Sequence, residues 1–232
     1  MPVAIITGAS RGLGRALARE LDARGWALVL DARGGAALER VADELDPRRT
    51  AALPGDVTDP RHRRELVDAA LGLGGLDLLV NNASHLGPSP QPRLDAYPPT
   101  ELARVFDTDV LAPADLVRLA LPALVAGLGT VVNVSSDAAV EAYEGWGGYG
   151  AAKAALDQLT AVLAVEQPEI RAYAFDPGDM RTQLHQEAFP GEDISHRPEP
   201  ESVVPSLLLF LDERPPSGRY RSSDLAAAVP VR

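Results

Sequence analysis

Six short apolar runs punctuate the chain: Val3–Thr7, Ala27–Leu30, Thr50–Leu53, Leu76–Val80, Thr130–Val134 and Ile170–Phe175. Each is too short for a buried helix, is apolar on both faces and is bounded by glycine, proline or polar turns, which predicts strands covered on both sides. Between them Leu13–Ala23, Ala36–Leu45, Arg61–Leu71, Thr100–Ala126 and Tyr149–Glu166 carry apolar residues at helical spacing, and Val203–Leu211 adds one more such stretch. Doubly apolar strands alternating with helices require an α/β fold: a doubly wound parallel sheet with helices on both faces and right-handed crossovers. In such a sheet the ligand sits beyond the carboxyl ends of the strands. The 232 residues are 46% hydrophobic, enough for a substantial core, and no linker divides them, so one domain over residues 1–232 is expected.

Two of those strand ends carry chemistry. The first reads "TGASRGLGRALARELDARG", Thr7 to Gly25, with Gly8, Gly12 and Gly14 in the turn before a helix. A backbone without Cβ there can approach a pyrophosphate, and the helix N-terminus offers unpaired N–H groups. Three glycines also suit a bare loop-to-helix turn. The second reads "VVNVSSDAAVEAYEGWGGYGAAK", residues 131 to 153, where a strand passes two serines and leads to Tyr149, four residues before Lys153. A carbonyl reduced by hydride needs a proton donor within reach of its oxygen. Tyrosine, with a reference pKa of about 10, needs a stabilised anion to serve, and a lysine one helical turn away supplies a positive field on the same face. An isolated Tyr-x-x-x-Lys is more often a packed aromatic beside a solvated ammonium; the glycine loop upstream and the interval from Ser136 turn the reading toward chemistry.

The pattern Thr-Gly-x-x-x-Gly-x-Gly, followed in order by "NNAS" at Asn81–Ser84, "SS" at Ser135–Ser136, "YGAAK" at Tyr149–Lys153 and "DPGDMRT" at Asp176–Thr182, resembles the short-chain dehydrogenase/reductase family in its short single-domain branch. The resemblance covers nearly the whole chain. It implies a Rossmann-type domain and an NAD(P)(H)-dependent oxidoreductase acting on a small carbonyl or alcohol. It makes Ser136, Tyr149 and Lys153 catalytic, with Lys153 also on the nicotinamide ribose and Ser135 a structural hydrogen bonder. Cofactor contacts are implied for Thr7, Gly8, Ser10, Arg11, Gly12, Leu13, Gly14, Asn82, Ala83, Tyr149, Lys153, Pro177, Gly178 and Thr182, and for Asp56 and Val57 at the adenine. Asp56 could instead cap the helix that starts near Asp59. Two departures are visible. Ser84 replaces a glycine, and Asp109 stands where the family has an asparagine that supports a relay water. Its carbonyl could hold that water, which makes Asp109 a candidate catalytic residue or a structural helix residue.

Cofactor choice is read at the end of the second strand, where NAD sites carry an acid for the ribose 2′-hydroxyl and NADP sites an arginine for the 2′-phosphate. Counting forward from Gly25, the acidic position falls on Ala32, with Asp31 one residue early and Arg33 one late. Neighbouring strand residues point to opposite faces, so Asp31 need not reach the ribose. Arg33 and Arg11 favour NADP, with NAD as the alternative; either could be a solvated surface charge.

Two proline-rich loops, near residues 85–99 and 179–201, are expected to wall the substrate site. His85, Tyr143, Trp146, His185 and Phe189 could line it, or simply pack. His185 and His196 have no third ligand at metal spacing, so no metal is expected. A net charge of −11 without a basic run argues against nucleic acid and anionic membranes as partners. The N-terminus enters a strand without signal-peptide features, no apolar run has membrane-spanning length, and the lack of cysteine suits a cytoplasmic protein. A homodimer through the long helices is expected, because their small residues permit close approach. The segment "GRYRSSDLAAAVPVR" lacks the family's glycine-rich ending, which leaves tetramer contacts open. The rival reading is a catalytically silent dinucleotide-binding sensor or scaffold of the same fold.

Overall fold

A computed structural model describes residues 1–226. Seven strands form one parallel sheet: β1 (Val3–Ile6), β2 (Ala27–Ala32), β3 (Thr50–Pro54), β4 (Leu78–Asn81), β5 (Thr130–Val134), β6 (Arg171–Asp176) and β7 (Gly218–Arg221), in the order β3-β2-β1-β4-β5-β6-β7. The apolar runs become strands because both faces are covered. Ala4 and Ile6 of β1 pack into one core with Leu17, Leu38 and Phe210. Val3 and Ile5 enter a second core with Leu66, Leu116 and Leu124.

The helices are α1 (Gly12–Ala23), α2 (Gly35–Ala42), α3 (Pro60–Leu73), α4 (Pro99–Phe106), α5 (Ala112–Ala126), α6 (Gly147–Glu166), α7 (Gln183–Ala188), α8 (Val204–Asp212) and α9 (Ser222–Ala226). The strand order reverses between β1 and β4, and a crevice opens there at the carboxyl ends.

The structure differs from the sequence expectation in three places. The helix expected over Thr100–Ala126 is divided into α4 and α5 by a π turn at Asp107–Leu111. Pro113 explains the break: it has no N–H to return to the Asp109 carbonyl, and its ring would clash there. An unexpected strand, β7, pairs with β6 from Tyr173↔Gly218 to Asp176↔Arg221. Its sequence, Gly-Arg-Tyr-Arg, lacks an apolar run because an edge strand tolerates charge. A short helix, α7, lies inside the second proline-rich loop. Residues 227–232 of the C-terminal segment fall outside the described residues.

Candidate active site

The glycine loop after β1 is built by close approach. Gly8 has φ +65°, and a Cβ on it would lie 2.9 Å from the Ala83 backbone. A Cβ on Gly14 would meet the Gly8 carbonyl at 2.7 Å. Thr7 Oγ1 accepts from the Asn82 and Ala83 amides at 3.0 Å each. Asn82 Nδ2 donates to the Thr7 carbonyl at 2.8 Å and the Gly8 carbonyl at 3.2 Å. These bonds clamp the loop to the end of β4. At the start of α1, Arg11 provides no side-chain cap, so the first N–H groups of the helix remain available to an anion.

The crevice is about 690 Å³. Of the residues expected to meet a cofactor, Gly8, Ser10, Arg11, Gly12, Leu13, Arg33, Asp56, Val57, Asn82, Ala83, Pro177, Gly178 and Thr182 line it. Thr7 and Gly14 stand behind that wall, where they shape the loop. Arg33 shares the β2 end of the crevice with Arg40 of α2, which the sequence reading missed. Asp56 does not cap α3: its carboxylate accepts from the Thr58 amide at 2.9 Å and hydroxyl at 2.8 Å, while Asp59 caps Arg61 N–H. Asp31 also lines the crevice, but its Oδ1 lies 2.7 Å from His62 Nε2.

Ser136, Tyr149 and Lys153 line the opposite end. Lys153 Nζ donates to the Val134 carbonyl at 3.0 Å, lies 3.0 Å from Asp109 Oδ1 and stands 5.4 Å from the centroid of the Tyr149 ring. Asp109 is fully buried at the π turn. Its carboxylate also accepts from Ser84 Oγ at 2.5 Å and the His85 amide at 2.9 Å. This makes the Asp109 side chain an acceptor for three donors, Lys153, Ser84 and His85. It also explains both family departures, because Ser84 supplies a hydroxyl to the carboxylate that replaces an amide.

Electrostatics at this end follow from burial and charge. Burial pushes the Tyr149 phenol up; Lys153 pulls it down and Asp109 pushes it up again, leaving it above the ordinary tyrosine range. Burial alone would lower Lys153, but Asp109 and Tyr149 outweigh it and hold the ammonium charged. Tyr149 therefore rests protonated beside a paired ammonium.

Ser136 Oγ donates to Asp137 Oδ1 at 2.9 Å and accepts from the Ala138 amide at 3.2 Å. Arg219 of β7 donates to the Ser136 carbonyl at 2.9 Å, to Asp176 at 3.0 Å and to Asp157 at 2.9 Å. Ser135, expected to be a structural hydrogen bonder, donates its amide to the Phe175 carbonyl at 2.7 Å. Its hydroxyl is buried without a partner among the described residues.

Of the expected substrate wall, His85, Trp146 and His185 line the crevice. Trp146 packs edge-on to Tyr149 with centroids 5.8 Å apart, and Phe189 lies behind it at 5.9 Å. Tyr143 is turned outward, bonded to Asp137 and Glu141. Burial lowers His185, which leaves it neutral near pH 7. Among the described residues no three His, Cys, Asp or Glu side chains gather for a metal ion, and no helix is long and apolar enough to cross a membrane.

Comparison with known proteins gives the family. The short chain dehydrogenase family profile matches residues 2–193. The chain is 36% identical to sepiapterin reductase of Meriones unguiculatus over 199 residues, which is 79% of this chain and 76% of that protein. It is 33% identical to an uncharacterized oxidoreductase of Saccharomyces cerevisiae over 185 residues, 78% of this chain and 72% of that protein. Among solved structures, an alcohol dehydrogenase from Thermococcus sibiricus complexed with 5-hydroxy-NADP superposes with a TM-score of 0.85 at 27% identity, covering 95% of both chains. A short chain dehydrogenase from Shigella flexneri complexed with NADP superposes at 0.86 and 26% identity, covering 96% of this chain and 97% of that one. The chain belongs to the short-chain dehydrogenase/reductase family and is an NAD(P)-dependent oxidoreductase.

Proposed function

We propose that the protein is an NADPH-favouring carbonyl reductase in which Tyr149 is the general acid. The observation that carries this reading is the polarity of the crevice, with Arg33 and Arg40 at one end and Ser136, Tyr149 and Lys153 at the other. The glycine loop and the uncapped start of α1 fit a pyrophosphate, and the two arginines fit a 2′-phosphate. The dinucleotide, when bound, supplies the hydride. Lys153 would hold its nicotinamide ribose. Ser136 would turn its hydroxyl from Asp137 to the substrate oxygen, and Tyr149 would deliver its proton to the same oxygen. The raised Tyr149 favours the reductive direction, since the acid must start protonated. Trp146, Leu86 and Leu184 offer the substrate carbon skeleton an apolar wall.

The loops near residues 85–99 and 179–201 serve as the substrate wall of a single domain. Two copies pair through α5 and α6, where Leu159, Val162 and Val165 of α6 are exposed, Val165 at 82%. A cytoplasmic setting completes the reading.

The test is turnover. NADPH oxidation is followed at 340 nm with a panel of ketones and aldehydes that includes sepiapterin, because relatives carry the name sepiapterin reductase. Reduction by the parent, with Tyr149→Phe retaining cofactor affinity but losing all but about 1% of the rate, supports the proposal. Equal rates for the two proteins overturn it. A parent that binds NADPH but reduces nothing in the panel supports the silent sensor instead.

A further inference from the structure

The carboxyl end of β2 holds a charged pair that the chemistry above does not use. Asp31 is 1% exposed, its carbonyl accepts from the Ala9 amide at 2.8 Å, and its Oδ1 lies 2.7 Å from Nε2 of His62. His62 comes from α3 and is 5% exposed. Its ring fills the space beside Gly55, where a Cβ would lie 2.4 Å away, so the imidazole has little room to leave Asp31. Asp31, Arg33, Gly55 and Asp56 all line this end of the crevice, whereas His62 stands behind them.

A carboxylate in this neighbourhood has a definite consequence for cofactor choice. Unpaired, it accepts from a ribose hydroxyl and repels a 2′-phosphate, which favours NADH. Bonded to imidazole it behaves differently. With Nδ1 also protonated toward Glu65, 3.7 Å away, the pair is neutral whether the shared proton sits on Nε2 or on the carboxylate, and Asp31 Oδ1 is already committed. Burial pushes the Asp31 carboxyl up, and the Asp31 bond pushes His62 up, so both favour retention of that proton at neutral pH. The other charges nearby are Arg33, Asp56 and Glu65, the last 3.7 Å from His62 Nδ1.

Resting on the NADPH reading, we propose that His62 is a specificity-determining residue: by holding Asp31 it cancels the charge that would repel a 2′-phosphate and withholds the acceptor that would bind NADH. The arginines attract NADPH, and the Asp31–His62 pair removes the local penalty against it.

Calorimetric titration of NADPH and NADH into the parent, His62→Gln, Asp31→Asn and the double variant tests this without turnover. Glutamine fits the slot and can still bond Asp31 but carries no proton to neutralise it. The expected result for His62→Gln is at least a tenfold rise in the NADPH Kd, with the NADH Kd unchanged or lowered. Asp31→Asn in the same chain should bring the NADPH Kd back to within about threefold of the parent, and His62→Gln should have no effect on the cofactor ratio in that background. If His62→Gln weakens both cofactors by the same factor and Asp31→Asn rescues neither, His62 is only packing and the inference falls. Should His62→Gln fail to fold, the ratio in the double variant against Asp31→Asn decides: any drop in NADPH preference there overturns the neutralising role. A parent that binds neither dinucleotide, or prefers NADH, overturns the functional reading itself. A parent that prefers NADPH with a ratio indifferent to His62→Gln overturns this inference alone.

Discussion

Replacing Asp109 by asparagine restores the residue that the family resemblance expects, and the structure implies that the restoration is harmful. At 3.0 Å from Lys153 Nζ, and with an effective dielectric constant of about 20, the Asp109 carboxylate attracts the ammonium by about 5.5 kcal/mol before desolvation is counted. Breaking a buried pair by removing one partner costs about 3–5 kcal/mol, because the other charge stays buried. Asparagine recovers part of this, since its one amide oxygen can still accept from Lys153. It cannot serve all three donors, however. With Oδ1 toward Lys153 and Ser84, the amide NH2 faces the His85 N–H that now bonds Oδ2. Asp109→Asn should therefore lower stability by about 3 kcal/mol, seen as a drop in Tm of about 6–12 °C for a chain of this size. The second effect is on catalysis. With the carboxylate gone, Lys153, 5.4 Å from the ring centroid, acts on Tyr149 without a competing negative charge, so Tyr149 titrates at lower pH than in the parent. Tm by calorimetry and the pH profile of NADPH oxidation, measured on both proteins, check the two claims. Unchanged Tm together with superposable pH profiles would refute the reasoning, because neither the pairing nor the field of Asp109 would then exist in solution.

Four further outcomes are expected. With Tyr149 as the proposed general acid, reduction would need it protonated and oxidation its anion, so with the phenol held above its ordinary range the reductive rate should stay level through neutral pH and fall only at strongly alkaline pH, while the oxidative rate rises throughout; initial rates in both directions check this. Arg33→Ala should weaken NADPH by about 1.5–3 kcal/mol, the scale of a hydrogen bond to a charged group, and leave NADH nearly unchanged, with Arg40→Ala acting in the same sense by titration calorimetry. Arg219→Ala frees the Ser136 carbonyl and leaves Asp176 and Asp157 short of a donor, so kcat should fall several-fold while the Kd for NADPH holds. Gly14→Ala places a Cβ 2.7 Å from the Gly8 carbonyl, which should distort the loop and remove measurable binding of either dinucleotide, as followed by fluorescence titration.

What the sequence revealed and what it concealed divide along a physical line. The β/α alternation was legible because each strand of the sheet interior is apolar on both faces, a pattern complete within four to six residues of chain. The glycine loop was legible for the same kind of reason: Gly8 and Gly14 meet backbone, so no other residue fits whatever surrounds them. Tyr149 and Lys153 were legible because one helical turn fixes their relation. The strand β7 was not, since an edge strand of Gly-Arg-Tyr-Arg need not be apolar, and its register against β6 is set by side chains such as Arg219, which reaches Ser136, 83 positions away in the chain. The Asp31–His62 bond joins residues 31 apart on a strand and a helix, with no local pattern to announce it. Asp109 lies between the two cases. Its identity as a departure was visible, but its meaning depended on Ser84 and His85 arriving from one other part of the chain and Lys153 from another. The two ends of the crevice thus share one device: Asp109 beside Lys153 and Asp31 beside His62 are buried acids, each matched by a basic partner. At the catalytic end Asp109 adds to the burial that holds the Tyr149 phenol above its ordinary range, and at the β2 end the proposed role of the pair is to leave cofactor choice to the arginines.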